Sequence, residues 1–237
     1  MAMKVLVRAA KKVLNRKKIK AALNKTLLVI AGPTAVGKTG TAINIAKHFQ
    51  TEIISADSRQ FYREMTVGTA KPISNELQAV KHHFINSDSI HDNVNAGQYG
   101  ERCRELIIDL HHKYDTLIMC GGSGLFINSA IFGLDELPEK DDAIRSELQS
   151  RFEHEGIEVL QNELKAIDPE MYKVIDKQNP RRLIRAIEVN RQSDIPYSKL
   201  LGKNTVPKVS CNVIYVGLNI ERDDLYDRID KRVDQMI

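Results

Sequence analysis

Gly32-Pro33-Thr34-Ala35-Val36-Gly37-Lys38-Thr39 constrains this chain more than any other stretch. It has the form Gly-x-x-x-x-Gly-Lys-Thr and follows the apolar run Thr26 to Ala31. After it, Ala42, Ile45, Ala46 and Phe49 recur at the spacing of one helix face. Strand, glycine loop and helix start are the context that separates an anion cradle from a chance turn. The glycines let backbone N–H groups turn inward around an anion. The helix N-terminus adds partial positive charge, and Lys38 a full one. Thr39 is placed to put a hydroxyl on a magnesium ion. The loop is expected to hold a diphosphate or triphosphate, and by itself does not say which molecule carries it.

Charge is distributed unevenly. Residues 1–25 hold nine Lys and Arg and no acidic residue, whereas the whole chain has 35 basic against 31 acidic, a net charge of +4. The basic excess therefore belongs to the leader, and the body is mildly acidic. A solvated tail and a nucleic-acid arm both remain open for this leader, since basic tails attract phosphate without sequence preference. A targeting peptide is disfavoured, because the leader has no Ser and no clear cleavage site after a long apolar stretch. Cys103, Cys120 and Cys211 are scattered without Cys-x-x-Cys spacing and read as reduced, buried thiols of a cytoplasmic protein. No apolar run approaches the length of a membrane span.

Further along, Glu52 to Ala56 reads as a short strand ending at Asp57-Ser58-Arg59-Gln60. In an open parallel sheet, ligands sit beyond the carboxyl ends of strands, which brings Asp57 toward the phosphate loop. Capping a turn is the bland alternative for Asp57. His82-His83 and His111-His112 point to different sides and lack a third ligand at metal spacing, so they read as structural. Asn95 to Lys113 reads as a helix. Thr116 to Cys120 is a buried strand running into Gly121-Gly122-Ser123-Gly124. Nucleotide hydrolases of this loop class often end such a strand in a magnesium-holding aspartate. A glycine pair and a hydroxyl stand here instead, which argues against a motor or switch protein.

From Leu137 the pattern turns wholly helical, and Pro180 opens a helix carrying Arg181, Arg182 and Arg185. These are either a solvated face paired with Glu188 or an anion-binding face. Cys211 to Leu218 returns to a strand, followed by a helix with Leu225, Ile229, Val233 and Met236 expected inward and Arg228 and Arg232 four apart on another face. Without a C-cap signal at Ile237, the natural protein is expected to continue. The fold expected is α/β, a P-loop-type parallel sheet flanked by helices with an all-helical insertion. Its parts are a leader at 1–25, a core at 26–136 and 201–237, and an insertion at 137–200.

The phosphate loop, Ser55 to Gln60, Gly68-Thr69-Ala70-Lys71-Pro72, Gly121 to Leu125, and Asn179 to Ala186, in this order, resemble the tRNA dimethylallyltransferase (tRNA isopentenyltransferase) family. The resemblance covers Lys25 to the end. It implies transfer of a dimethylallyl group from dimethylallyl diphosphate to N6 of the adenosine 3′ of the tRNA anticodon, with Mg2+; a monomer is expected. Gly32, Pro33, Thr34, Ala35, Val36, Gly37, Lys38 and Thr39 then match the diphosphate site, and Arg228 and Arg232 resemble arginines beside it. Asp57 matches the general base, and Asp57, Ser58, Arg59 and Gln60 match a segment touching the flipped base. Ser123 stands where the family usually has Thr, a position that touches substrate. Arg145, Arg181, Arg182, Leu183, Ile184 and Arg185 match tRNA-contacting positions. The basic leader is not a standard part of the family, and the part that usually follows Ile237 is absent. Alternatives left open are an adenylate isopentenyltransferase, a small-molecule kinase and an RNA-binding protein with a degenerate site.

Overall fold

The computed structural model describes residues 25–92 and 94–234. Residues 1–24 of the leader, and Met236, lie outside the described residues. Two compact units divide the chain: one runs to Gly133 and resumes at Val206, the other is Leu134–Thr205.

The first unit is built on a five-stranded sheet in which every neighbouring pair is parallel. β1 (Thr26–Ala31) lies between β4 (Thr116–Cys120) and β5 (Asn212–Gly217). β2 (Ile53–Ser55) pairs with β4 and with β3 (His82–His83), giving the order β3-β2-β4-β1-β5. Parallel strands are covered on both faces and so read as unbroken apolar runs. Leu27, Leu28, Val29 and Ile30 are at most 1% exposed. Their side chains alternate between faces. Leu27, Val29, Leu117 and Met119 enter a core with α3 (Ala96–His111) and α4 (Gly124–Phe132), while Leu28, Ile30 and Ile118 pack with α1 (Lys38–Phe49). Each such side chain contributes about 1.5–3 kcal/mol on burial. Asn95 opens α3 with a reciprocal cap, its side chain accepting the Gln98 N–H at 3.0 Å while Gln98 accepts its own N–H at 3.3 Å.

β3 is a strand the sequence pattern did not reveal, because two residues are too short to show a period. His83 there meets Glu52 at 2.5 Å, and the Tyr114 hydroxyl donates to the same carboxylate at 3.0 Å. Among the described residues no cluster of three or more His, Cys, Asp or Glu has a metal-holding arrangement. None of the described helices is long and apolar enough to cross a membrane.

The second unit consists of α5 (Asp142–Glu155), α6 (Ile157–Ile167), α7 (Pro169–Val174), α8 (Pro180–Gln192) and α9 (Tyr197–Leu200), after the short α2 (Ser74–Ala79) of the first unit. Its own core gathers Leu148, Leu160, Leu164, Leu183 and Ile187, all fully buried. Asp141, Asp168 and Asn179 cap α5, α7 and α8, and Pro180 sits in the first turn of α8. The unit exceeds the span 137–200 because Asp135 accepts the N–H groups of Gly202, Lys203 and Asn204, which ties its entry to its exit.

The last described helix, α10 (Arg222–Asp234), departs from expectation. It contains no buried residue, and Val233, expected inward, is 49% exposed. Leu225 and Ile229 are half-buried, and Arg232, not Val233, is the third half-buried position.

Candidate active site

The phosphate loop is held from below by a close approach. A Cβ at Gly32 would stand 2.6 Å from the Leu218 carbonyl, which only glycine permits. Ala35 takes a left-handed conformation at φ 64°, a strained choice for a residue with a side chain. Thr34, Ala35, Gly37, Lys38 and Thr39 line an open cleft of about 1070 Å³. Gly32, Pro33 and Val36 do not line it. Pro33 has no N–H to give, and Val36 is buried in the core under α1. The Lys38 ammonium donates to the carbonyls of Gly32 at 3.0 Å and Pro33 at 2.8 Å. Burial lowers its pKa, and the nearby Arg232 lowers it further, while Cys120 and Asp57 act the other way.

Opposite the loop, the ends of β2 and β4 are locked together. A Cβ at Gly121 would lie 2.1 Å from the Ala56 carbonyl, so the turn after β4 accepts only glycine at this contact. Ser123 donates its N–H to the Ala56 carbonyl at 3.3 Å, and its Oγ accepts the Ser58 N–H at 3.1 Å. Asp57 then enters the cleft with one oxygen, Oδ1, accepting the Arg59 N–H at 3.0 Å. That bond fixes the carboxylate. Ser58, Arg59 and Ser123 do not line the cleft; Ser123 braces the turn that carries Asp57. Cys120 also borders the cleft, and burial pushes its thiol up to about 12.

The facing wall comes from the segment after Gln60. The Gln60 amide donates to the Thr69 and Ala70 carbonyls at 3.3 and 3.1 Å, and its oxygen receives the Ser55 hydroxyl at 3.3 Å. Gln60 therefore holds the Gly68–Pro72 wall against β2. Lys71 donates to the Tyr62 carbonyl at 2.5 Å and Asn86 Oδ1 at 2.6 Å. From α10, Arg228, Lys231 and Arg232 complete the lining. The structure thus brings Lys38, Thr39, Asp57, Gln60, Arg228 and Arg232 to one cleft. The sequence reading missed Lys231, although its i+3 spacing from Arg228 marks the same helix face.

In the helical unit the arginines named from the sequence divide into two sets. Glu188 is fully buried, and Arg145 clamps it through Nε at 2.8 Å and Nη2 at 2.9 Å. Arg185 donates to the same carboxylate at 2.8 Å and to the Pro138 carbonyl at 2.8 Å. The Asp141 N–H adds a bond of 2.7 Å. Burial alone raises the Glu188 pKa, but the bonds from Arg145, Arg185 and Asp141 outweigh it and hold the carboxyl at about 2. Arg145 and Arg185 are therefore both tied to Glu188, while each keeps part of its side chain exposed. Leu183 is 0% exposed and Ile184 7%, so both side chains pack into the core of this unit. Only Arg181 and Arg182 of this stretch are exposed. Arg181 borders, with Arg145, Ser146, Gln149, Ser150 and Ile184, an open groove of about 670 Å³ between α5 and α8.

The IPP transferase (IPPT) family profile matches residues 60–237. A tRNA dimethylallyltransferase of Cytophaga hutchinsonii is 44% identical over 217 residues, covering 91% of this chain and 70% of the relative. A tRNA dimethylallyltransferase 2 of Azobacteroides pseudotrichonymphae is 46% identical over 213 residues, covering 90% and 69%. The solved tRNA isopentenylpyrophosphate transferase of Bacillus halodurans superposes with a TM-score of 0.57 at 37% identity, over 90% of this chain and 66% of that one. A eukaryotic dimethylallyltransferase acting on tRNA shares the fold, with a TM-score of 0.67 at 24% identity over 90% and 52% of the two chains. This chain spans about 70% of the length of the curated relatives.

Proposed function

The chain belongs to the IPP transferase family, and from that membership and its cleft we propose that it transfers a dimethylallyl group from dimethylallyl diphosphate to N6 of the adenosine 3′-adjacent to the tRNA anticodon. One observation carries the reading. Lys38, Arg232 and Asp57 border a single cleft, joining a cradle for a leaving diphosphate to a carboxylate for an incoming amine. In the reaction the bond between the allylic C1 and the diphosphate oxygen breaks, the N6–C1 bond forms, and N6 loses a proton. The allylic carbon gains positive charge as it separates, and the diphosphate gains negative charge.

Loop N–H groups of Thr34 to Thr39, Lys38, Arg228 and Arg232 would stabilise that departing charge in a site partly shielded from water. Lys38 would exchange its carbonyl partners Gly32 and Pro33 for phosphate oxygens. Thr39 lines the cleft beside Lys38, so its hydroxyl is the group present that would hold a magnesium ion. When bound, that ion supplies further neutralisation of the leaving group. Asp57 accepts the N6 proton, since an aromatic amine is a weak nucleophile. Its Oδ1 is fixed by the Arg59 N–H, leaving Oδ2 for substrate. The adenosine must leave the RNA stack to reach the cleft. Arg181 and Arg182 would add phosphate contacts from the helical unit.

The test is transfer of radiolabelled dimethylallyl from its diphosphate, with magnesium, to unmodified tRNA bearing that adenosine, with AMP and a guanosine-substituted tRNA in parallel. Label on the adenosine tRNA alone is expected. Label on AMP alone would select the adenylate alternative, and phosphoryl transfer from ATP to a small acceptor would select a kinase.

A further inference from the structure

The positive charge of the cleft exceeds what its own carboxylates and a diphosphate account for. α10 turns Arg228, Lys231 and Arg232 toward the cleft at i, i+3 and i+4 spacing. Among the described residues, the side chains of these three make no hydrogen bond or ion pair. Asp227 stands four residues before Lys231, a spacing at which an ion pair would ordinarily form, yet no such pair is made. Like charges crowded on one helix face repel unless an anion covers them. The acidic residues bordering the cleft are Asp57 and Glu76, each already accepting a backbone N–H, from Arg59 and from Ile73.

The three cations are not equivalent. Arg232 is half-buried and close enough to Lys38 to act on it electrostatically, which places it with the phosphate loop. Lys231 is exposed. A diphosphate carrying one magnesium ion presents less negative charge than Lys38, Arg228 and Arg232 together supply, so Lys231 is left for a second anion.

We infer that Lys231 takes a backbone phosphate of the acceptor RNA at the mouth of the cleft and so favours a strand over a free nucleotide. This rests on the prenyl-transfer reading above. A lysine suits the role because a single mobile point charge follows a flexible backbone without demanding bidentate geometry. Its contribution is a screened Coulomb attraction that lowers the KM for RNA and leaves the chemical step alone.

The experiment compares wild type, Lys231→Gln and Lys231→Arg. It measures binding of dimethylallyl diphosphate with magnesium by calorimetry, tRNA binding across a salt series, and steady-state transfer to tRNA and to AMP. Lys231→Gln is expected to keep donor affinity and kcat, raise the KM for tRNA several-fold, and lower the slope of log affinity against log salt by about 0.7–0.9. Lys231→Arg restores the slope. A loss of donor affinity with the RNA slope unchanged would reassign Lys231 to the diphosphate. No change in either would make it a solvated lysine and overturn the inference. A wild-type protein that neither binds nor prenylates tRNA would instead sink the broader reading.

Discussion

The sheet unit and the helical unit both concentrate cations, and they use them in opposite ways. In the cleft, Arg228, Lys231 and Arg232 have no carboxylate partner among the described residues, and Lys38 rests on two carbonyls. In the helical unit, Arg145 and Arg185 are committed to the buried Glu188. A cation left facing a cleft waits for an anion from outside. A cation bound to a buried carboxylate holds the fold, because freeing it would strand a charge out of water. Arginine count and motif membership do not separate these cases. The partner in space does.

The largest effect that would sharpen this contrast is on turnover. Asp57→Asn keeps shape and cannot take a proton, so it should lower kcat by about 10²–10⁴-fold with the melting temperature nearly unchanged. Single-turnover transfer on preformed complexes reads this directly, and wild-type speed in the Asn protein removes Asp57 from the chemistry. The matching change in the other unit acts on stability. Glu188→Gln removes the charge that Arg145 and Arg185 share, and since both arginines are partly exposed the loss should be about 1–3 kcal/mol. Chemical denaturation should register that loss while donor affinity stays intact. A mild loss, under about 1 kcal/mol, would mean that the arginines find other partners and that the two units differ less than described.

The same carboxylate gives a pH dependence with a definite sign. Glu188 titrates at about 2 in the fold against a usual 4.5. A depressed carboxylate stabilises the fold fully above its unfolded value. That contribution should therefore fade as pH drops from about 4.5 toward 2. His82 and His111 act at higher pH. Burial lowers both pKa values below the ordinary 6.5, and each ring leaves Nε2 buried without a partner among the described residues. The unfolded chain gains protons there first, so stability should begin to decline as pH falls below about 6.5. Glu188→Gln should flatten the lower limb of a stability–pH curve, and an unchanged limb would place its origin elsewhere.

Much of the sheet unit was legible in the sequence. Continuous apolar runs marked β1 and β4, and the glycine loop dictated the turn and helix after β1. Two-residue β3 was not legible, since a pair of histidines carries no period, and neither was the exposure of Val233. Asp57 was legible from its place after a strand, whereas the partner of Ser123 was not. The Ser123 hydroxyl accepts the Ser58 N–H and does not line the cleft, a contact across 65 residues that no local pattern announces. Leu183 and Ile184 were swept into an RNA-contacting stretch by their neighbours. The helix period that buries their side chains was already in the sequence.

Smaller effects refine each side. Arg181→Ala with Arg182→Ala should weaken tRNA binding without touching donor binding. The salt slope should fall by about 0.9 for each phosphate the protein no longer neutralises. Filter binding at several salt concentrations measures it, and an unaltered slope returns both arginines to a solvated face. Ala35→Gly relieves a left-handed φ of 64° and should change stability by less than about 1 kcal/mol.

The contrast itself is tested most directly by donor-induced thermal shifts. Dimethylallyl diphosphate with magnesium should raise the wild-type melting temperature, because a ligand bound only by the native state stabilises it in proportion to ln(1 + [L]/Kd). Lys38→Ala and Arg232→Ala should abolish or greatly reduce that shift while leaving the ligand-free melting temperature near wild type. Arg185→Gln should do the reverse, lowering the ligand-free melting temperature and preserving the shift. A donor shift that survives in Lys38→Ala, or one that disappears in a folded Arg185→Gln protein, would contradict the account.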